Sequence, residues 1–450
     1  MQKKNGKSRI SVIGLGFVGL SLSVANARCG FSTIGVDINE QKISNLQKGI
    51  PDFFEPKLQE MLKSALSSGL LEFTSNIERA ILNTDLTFLT VGTPPTKNGK
   101  VDLSQVKKVV TKISQVLQKK KGYHLLVVKS TVAPQTTDNT IKPILSSFID
   151  SGKLDLVVNP EFLREGSAID DIFKPHLIVI GAYNKSAGKK LENYYTKFYS
   201  KMPEVIHTDP TTAEFIKYAN NAFLATKISF INSIANICQQ VPNVDVNTIA
   251  NAIGKDSRIG PLFLKAGPGF GGSCLPKDLS ALIEFSNKFG KKNTLFKAVK
   301  EVNDTQPQRI LELLQKIGVL GKNKTISILG LAFKKDTDDI REAVSIKLVK
   351  EIIKKGNKIK VHDPMAIGNF KKIFGNKITY CDTTDNCLKN SDCCVLLTEW
   401  NEYRKLGPND FRNRMKHTNI IDARRILEPE RFSDLNFMAI GLGQSEQQIP

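Results

Sequence analysis

The stretch GPGFGGSCLPKD, residues 267–278, sets one thiol, Cys274, behind four glycines in six residues, with Lys277 and Asp278 just beyond it. Glycines let backbone come close to a bound group, and a neighbouring lysine favours the nucleophilic thiolate. That combination suits covalent chemistry: the thiolate adds to an aldehyde, the adduct loses a hydride, and water hydrolyses the resulting thioester. An enzyme that stops at a carbonyl has no use for such a thiol, whereas one that continues to a carboxylate does. NPEFLREG, residues 159–166, adds Glu161 and Glu165 around Arg164. As a helix face or as a converging loop, such a pair suits water activation; a solvated acidic turn is the plainer reading. Lys217 and Asn221 stand i, i+4, an amine and an amide on one helix face that can hold a hydroxyl or an oxyanion. Many helices carry such pairs without chemical purpose.

The hydride acceptor is legible at the other end of the chain. Gly14, Gly16, Phe17, Val18 and Gly19 lie in GLGFVG, between the strand-like ISVI and the helix-like LSLSVANA. The first glycine permits the turn, the second admits a pyrophosphate, and the third allows helix–strand packing. A second strand, STIGVD, ends in Asp37, placed to accept from ribose hydroxyls and to repel a 2′-phosphate, so NAD is expected over NADP. Thr90, Gly92 and Thr93 follow the buried run LTFL, and Ser130 and Thr131 follow HLLVVK. Ligands in such sheets bind beyond the carboxyl ends of the strands, so both loops should line the cofactor site.

An internal echo sets the architecture: ISVIGLGF (10–17) returns as ISILGLAF (326–333), and GFSTIGVD returns as GNKIKVHD, ending in Asp363. The expected fold is α/β, with two Rossmann-like doubly wound domains joined by a long central helix and a small helical domain. The second copy has Ala332 and Lys334 or Lys335 where the fingerprint needs glycine, so a second NAD is not expected; its lysines suit a nucleoside diphosphate instead. Between the copies, residues 211–241 contain no glycine or proline. Thr211 and Glu214 fit a capping box, and Phe215, Ala219, Ala222, Ile231, Ile234 and Cys238 recur at helical spacing. Expected boundaries are 1–207, 208–318 and 319–450, with GQSEQQIP as a frayed tail.

Net charge is +20, with 40% hydrophobic and 24% charged residues. The excess of lysine favours anionic partners, but no basic stripe interleaved with aromatics is present, so nucleic acid is not expected. No apolar run spans a membrane, and the basic start MQKKNGKSR lacks a signal-peptide pattern. Seven cysteines at irregular spacing suit reduced thiols in the cytoplasm. Cys393 and Cys394 in CCVLL read as a buried strand, and no metal site is expected.

In GLGFVGL, VGTPP, STV, NPEFLREG, AEFIKYANNAFLA, DSRIG, GFGGSCLPKD, FKKDTDDIRE and IIDARRI the chain resembles the UDP-glucose/GDP-mannose dehydrogenase family over nearly its whole length. The resemblance implies a three-domain homodimer built on the central helix: an NAD-binding domain, a dimerisation domain and a C-terminal domain for a UDP-sugar. It makes Cys274 the nucleophile, with Asp278 and Thr131 positioning water or an oxyanion and Glu161 as base in thioester hydrolysis. Lys217 and Asn221 would polarise the reacting oxygen. Glu165, Lys277 and Arg341 would contact cofactor. Phe162, Leu163, Arg164, Phe263, Lys265, Gly271, Lys334 and Arg424 would hold the nucleotide sugar, and Arg258 would reach into the partner's site. Two positions depart from the pattern: Gln135 and Lys57 stand where the family commonly has glycine.

The loops around Cys274 and Glu161 are most similar to the UDP-glucose branch, ahead of the GDP-mannose and UDP-N-acetylmannosamine branches. The expected reaction converts UDP-glucose, two NAD+ and water to UDP-glucuronate and two NADH. A two-electron hydroxyacid dehydrogenase would share the cofactor domain and the Lys–Asn helix but would not need Cys274. A nucleic-acid-binding scaffold is the reading that charge alone suggests.

Overall fold

A computed structural model describes residues 8–96 and 98–444. The basic run at the start and the last six residues of the tail lie outside the described residues. The chain divides into two compact units, Met1–Asn220 and Asn221–Pro450.

The first unit is built on eight strands: β1 (Ile10–Ile13), β2 (Thr33–Val36), β3 (Leu71–Thr74), β4 (Leu86–Leu89), β5 (His124–Val128), β6 (Leu154–Val158), β7 (Leu177–Ala182) and β8 (Glu204–Thr208). Their order is β3-β2-β1-β4-β5-β6-β7-β8. The first six are parallel, β7 turns antiparallel to β6, and β8 runs parallel to β7. Strands such as ISVI, LTFL and HLLVV are buried along their whole length, because helices cover both faces of a parallel sheet. The order reverses between β1 and β4, which opens a crevice at their carboxyl ends.

In the second unit, β9 (Thr325–Leu329), β10 (Lys358–His362), β11 (Thr379–Tyr380), β12 (Cys393–Leu396), β13 (Asn419–Asp422) and β14 (Asn436–Ala439) form one parallel sheet ordered β11-β10-β9-β12-β13-β14. The sequence echo is thus an echo of topology, with β9 and β10 as counterparts of β1 and β2. The CCVL run is the buried strand β12, and all seven cysteines are free thiols. The helices Leu275–Asn287 and Thr294–Lys316 precede this sheet.

The long helix is Pro210–Cys238, 29 residues, or about 43 Å. Its start departs from the expected capping box. The Thr212 amide donates to Asp209 Oδ1 at 2.9 Å, so Asp209 caps the helix with Pro210 as its first residue, the position proline favours. Glu214 turns away from the cap and accepts from the Thr137 amide at 2.9 Å and the Thr137 hydroxyl at 2.6 Å, at a single π-helical turn, Thr137–Ile141. Phe215 and Ala219 were expected on the buried stripe and are exposed instead. Ala213, Tyr218, Ala222, Ala225, Ile231, Ala235 and Cys238 are among its buried apolar positions. A second apolar line, Phe223 (63% exposed), Phe230 (49%) and Ile237 (62%), faces outward at a spacing of seven.

Both departures from the family pattern have a backbone signature. Lys57 and Gln135 each adopt φ of 68°, the left-handed region that glycine occupies without strain.

Burial pushes the Glu214 carboxyl up to about 7. The folded chain holds this proton where the unfolded chain has released it. The stability it contributes is present below the ordinary carboxylate range and is lost as pH rises through about 7. Glu214→Gln should therefore flatten the change in Tm between about pH 5 and about pH 8 relative to wild type, as followed by thermal unfolding.

Candidate active site

In the first unit the turn after β1 has the features that a dinucleotide phosphate needs. Gly14 has φ of +97°, and a Cβ there would lie 2.8 Å from Val91 Cα. A Cβ on Gly19 would strike the Gly14 carbonyl oxygen, whereas one on Gly16 would meet nothing within 4 Å. The first and third glycines serve protein packing, and the second faces open space at the start of helix Phe17–Arg28, where backbone amides attract phosphate. Phe17 and Val18 are half-buried beside it. Asp37 Oδ2 accepts the Leu15 amide and Oδ1 the Asn39 amide, each at 3.1 Å, which fixes the carboxylate at the end of β2. These residues fit NAD.

The hydroxyls at the strand ends bond the backbone of neighbouring loops. Thr90 Oγ1 donates to the Gly14 carbonyl at 2.7 Å, Ser130 Oγ to the Val91 carbonyl at 2.7 Å, and Thr93 Oγ1 to the Thr131 carbonyl at 2.7 Å. They tie the loops after β1, β4 and β5 together. Gly92 is exposed and Thr131 half-buried on this rim.

NPEFLREG follows β6 as a loop. Glu161 Oε1 lies 3.1 Å from Lys217 Nζ, both nearly fully buried, and Oε2 accepts the Leu163 amide at 2.5 Å. Lys217 Nζ also sits 5.3 Å from the centre of the Phe162 ring. Glu165 is buried. Arg164 forms a two-pronged pair with Asp171, at 3.0 and 2.6 Å. The sequence reading missed Lys129, buried at the end of β5, with Nζ 2.8 Å from Asn159 Oδ1. Burial pushes its ammonium down to about 8 against the pull of Glu161, and Lys217 adds to the depression. The signal was a lysine directly continuing the apolar run HLLVV.

In the second unit Cys274 stands at the N-cap of helix Leu275–Asn287, half-buried, its sulfur 3.5 Å from Ser273 Oγ. The helix N-terminus favours negative charge there. Lys277, expected to act on the thiol, is ion-paired with buried Asp278. Asp278 also accepts from Asn221 Nδ2 at 2.7 Å. Lys217 and Asn221, neighbours on the long helix, thus serve different carboxylates.

The glycine loop ahead of Cys274 answers to protein more than to ligand. A Cβ on Gly269 would lie 2.7 Å from Asn303 Oδ1, one on Gly271 2.6 Å from the Glu342 carbonyl oxygen, and one on Gly272 2.8 Å from the Phe333 ring. Asn303 grips the loop through the Phe270 amide and carbonyl, at 2.7 and 3.0 Å, and the Gly272 amide donates to the Arg341 carbonyl at 2.8 Å. Arg424 reaches Glu399 at 2.5 Å and the Phe333 carbonyl at 3.5 Å. Lys334 lies 5.7 Å from the Phe333 ring centre. Phe263 has φ of 65°, a strained conformation for an aromatic residue. Lys265 is exposed, the Arg341 guanidinium pairs with Asp339, and Arg258, 87% exposed, pairs with Asp256 at 2.6 Å.

The glycine turn after β9 is closed from within. Asp363 Oδ2 accepts the Leu331 and Ala332 amides at 2.7 and 3.1 Å and Trp400 Nε1 at 3.2 Å; Oδ1 accepts the Met365 and Ala366 amides at 2.9 and 2.8 Å. This buried carboxylate is committed to the protein, unlike Asp37.

Sequence models of three domains match in succession: the NAD binding domain of the UDP-glucose/GDP-mannose dehydrogenase family over residues 8–199, its central domain over 211–305 and its UDP binding domain over 327–429. The chain belongs to the UDP-glucose/GDP-mannose dehydrogenase family. It is an NAD-dependent oxidoreductase. It is 40% identical to UDP-glucose 6-dehydrogenase AglM of Haloferax volcanii over 93% of this chain and 97% of that protein. It is 38% identical to UDP-glucose 6-dehydrogenase TuaD of Bacillus subtilis, over 97% and 93%. The structure of a UDP-glucose dehydrogenase from Pyrobaculum islandicum matches with a TM-score of 0.90 at 34% identity, covering 98% of this chain and 99% of that one. The family's UDP binding domain takes in the second glycine turn and Asp363.

Gly272 has φ of +80° with the Phe333 ring against its α-carbon. Gly272→Ala combines left-handed strain with overpacking and should destabilise the second unit by about 2–4 kcal/mol. Urea unfolding measures this, and faster labelling of Cys274 by a thiol reagent should accompany it.

Proposed function

We propose that the protein oxidises the C6 hydroxymethyl group of UDP-glucose to a carboxylate, consuming water and two NAD+ and releasing UDP-glucuronate, two NADH and protons. The observation that carries this reading is Cys274 at a helix N-terminus in a loop held rigid by Asn303 and Phe333. NAD, when bound, takes up a hydride in each of the two oxidations. Gly14, Gly16, Phe17, Val18, Gly19 and Asp37 hold it, with Thr90, Gly92, Thr93, Ser130 and Thr131 on the rim and Glu165, Lys277 and Arg341 as further contacts.

Lys217 and Asn221 hold the reacting oxygen as it changes from alcohol to carbonyl, which suits donors already fixed by Glu161 and Asp278. Cys274 Sγ then adds to the aldehyde carbon, forming a C–S bond and a thiohemiacetal whose oxygen carries the developing charge. Loss of the second hydride leaves a thioester. Glu161 takes a proton from water, which attacks the carbonyl carbon; the C–S bond breaks and the thiolate leaves. Asp278 and Thr131 position that water. Phe162, Leu163, Arg164, Phe263, Lys265, Gly271, Lys334 and Arg424 cradle the nucleotide sugar. The three working segments are 1–207, 208–318 and 319–450.

A homodimer is part of this proposal. The line Phe223, Phe230 and Ile237 repeats every seven residues on an outward face, the spacing of a helix–helix seam, and Arg258 extends from the surface toward a partner's site. Free thiols and dependence on NAD suit the cytoplasm; among the described residues no helix is long and apolar enough to cross a membrane.

Three measurements test the reading. Each UDP-glucose consumed should give two NADH by absorbance, with GDP-mannose and UDP-N-acetylhexosamines turned over far more slowly; one NADH per sugar would overturn it. Cys274→Ser should lower turnover by at least about a thousandfold, the scale of losing a nucleophile. Phe230→Asp should convert the dimer to monomer in sedimentation.

A further inference from the structure

The first unit holds a buried carboxylate to which the proposed chemistry gives no role. Glu55 lies in the connection ahead of helix Leu58–Ser67 and is 4% exposed. Its Oε2 accepts the Gly166 amide at 2.6 Å and its Oε1 the Ala168 amide at 2.8 Å. Both amides belong to the stretch that ends NPEFLREG and enters the short helix Ala168–Phe173. The first amides of a helix have no partner within it, and Ser167, at the N-cap, makes no side-chain capping bond. A carboxylate 113 positions earlier in the chain takes the place of the local cap. Gly166 has φ of +79°, so the same carboxylate also fixes a peptide in the left-handed region.

The segment that carries Glu55 is itself tied down. Asp52 pairs with Lys42 at 2.8 Å, and Lys42 Nζ reaches the Leu15 carbonyl at 3.3 Å. The Phe53 ring lies 5.4 Å from the Phe17 ring. Leu58 and Ile169, just beyond the two bonded stretches, are buried in one apolar cluster. The pair Lys57–Asp170, at 2.6 Å, joins the same two stretches but is largely exposed, and exposed pairs contribute little. From the Glu55 anchor the bonds run back toward the sugar residues. The Ser167 amide donates to the Arg164 carbonyl at 3.0 Å, and the Arg164 amide to Asp171 Oδ2 at 2.9 Å.

We infer that Glu55 is a positioning residue for the nucleotide sugar: by holding the Gly166 and Ala168 amides it fixes the course of the loop that presents Phe162, Leu163 and Arg164. The inference rests on the reading of those three residues as nucleotide-sugar contacts. Glu55 acts through backbone and touches no reacting atom. Its effect therefore falls on the binding of the sugar nucleotide. The cofactor keeps its glycine turn and Asp37, and the reacting groups keep their own partners.

Glu55→Gln keeps the shape of the side chain. Its oxygen can accept one of the two amides, but its NH2 group meets the other donor to donor. The KM for UDP-glucose should rise about tenfold with kcat within about twofold, the pattern of lost uniform binding. NADH affinity, read by fluorescence, should stay within about threefold, and Lys57→Ala, which removes only the exposed pair, should leave the KM within about twofold. A fall in kcat at unchanged KM would overturn the inference. So would equal losses for UDP-glucose and NADH, or a Lys57→Ala variant as impaired as E55Q. Hydrogen exchange read by mass spectrometry adds a measurement that needs no turnover. In the wild type the amides of residues 166–168 should exchange more slowly than those of the exposed connection at residues 119–123, and E55Q should speed exchange only around residues 162–170. If E55Q does not fold, the wild-type comparison decides: exchange at 166–168 as fast as in the exposed connection overturns the inference. Failure of the wild-type enzyme to oxidise UDP-glucose at all would instead strike the functional reading, while the exchange data still judge whether Glu55 holds the loop.

Discussion

A carboxylate at the end of the second strand of each sheet accepts the backbone amide that follows a glycine turn. Asp37 does this for Leu15 and Asp363 for Leu331. The turn could not keep its shape otherwise, because a chain leaving a buried strand carries amides that must be satisfied away from water. The two copies then diverge by how fully the acid is used. Asp37 accepts two backbone amides and remains partly open. Asp363 accepts four and an indole besides, and is sealed. The same device thus gives an open turn in one unit and a structural staple in the other.

Electrostatics of the reacting groups follows a second constraint, that buried charge must be paired. Glu161 with Lys217 and Asp278 with Lys277 each satisfy it inside one unit. Pairing also orients. An amine bonded to a carboxylate and an asparagine bonded to another have few rotamers left, so in the proposed reaction they would meet a substrate oxygen without first being ordered. The sulfur is treated differently: it is placed at the positive end of a helix, with its lysine neighbour already spoken for.

Much of this was legible in the chain. The glycine fingerprint, the acid at the end of β2 and the repeated strand–turn–helix pattern are local signals with a fixed spacing, and β1, β2, β9 and β10 appear where they point. The glycine loop before Cys274 was harder to read. A glycine says that something comes close without saying what, and here Asn303, Glu342 and Phe333 come close from distant stretches of chain. Periodicity likewise failed to tell the buried face of the long helix from its exposed one, because both are apolar: Phe215 and Ile231 look alike until the neighbours are known. Thr211 and Glu214 matched a capping pattern, but Asp209 caps the helix and Glu214 pairs with Thr137, 77 positions away. Lys129 was hidden by its setting, since the end of an apolar strand is where a charge is least expected.

Five of the seven thiols are buried, and Cys29 and Cys274 are the two that are less enclosed. Sealing the others spares them from oxidants. An opening wide enough to admit a sugar carbon to Sγ also admits peroxide, and a sulfenic acid at that position can no longer attack an aldehyde. If Cys274 is the nucleophile proposed above, oxidative wear at this thiol disables the reacting atom, and a bound nucleotide sugar doubles as its shield.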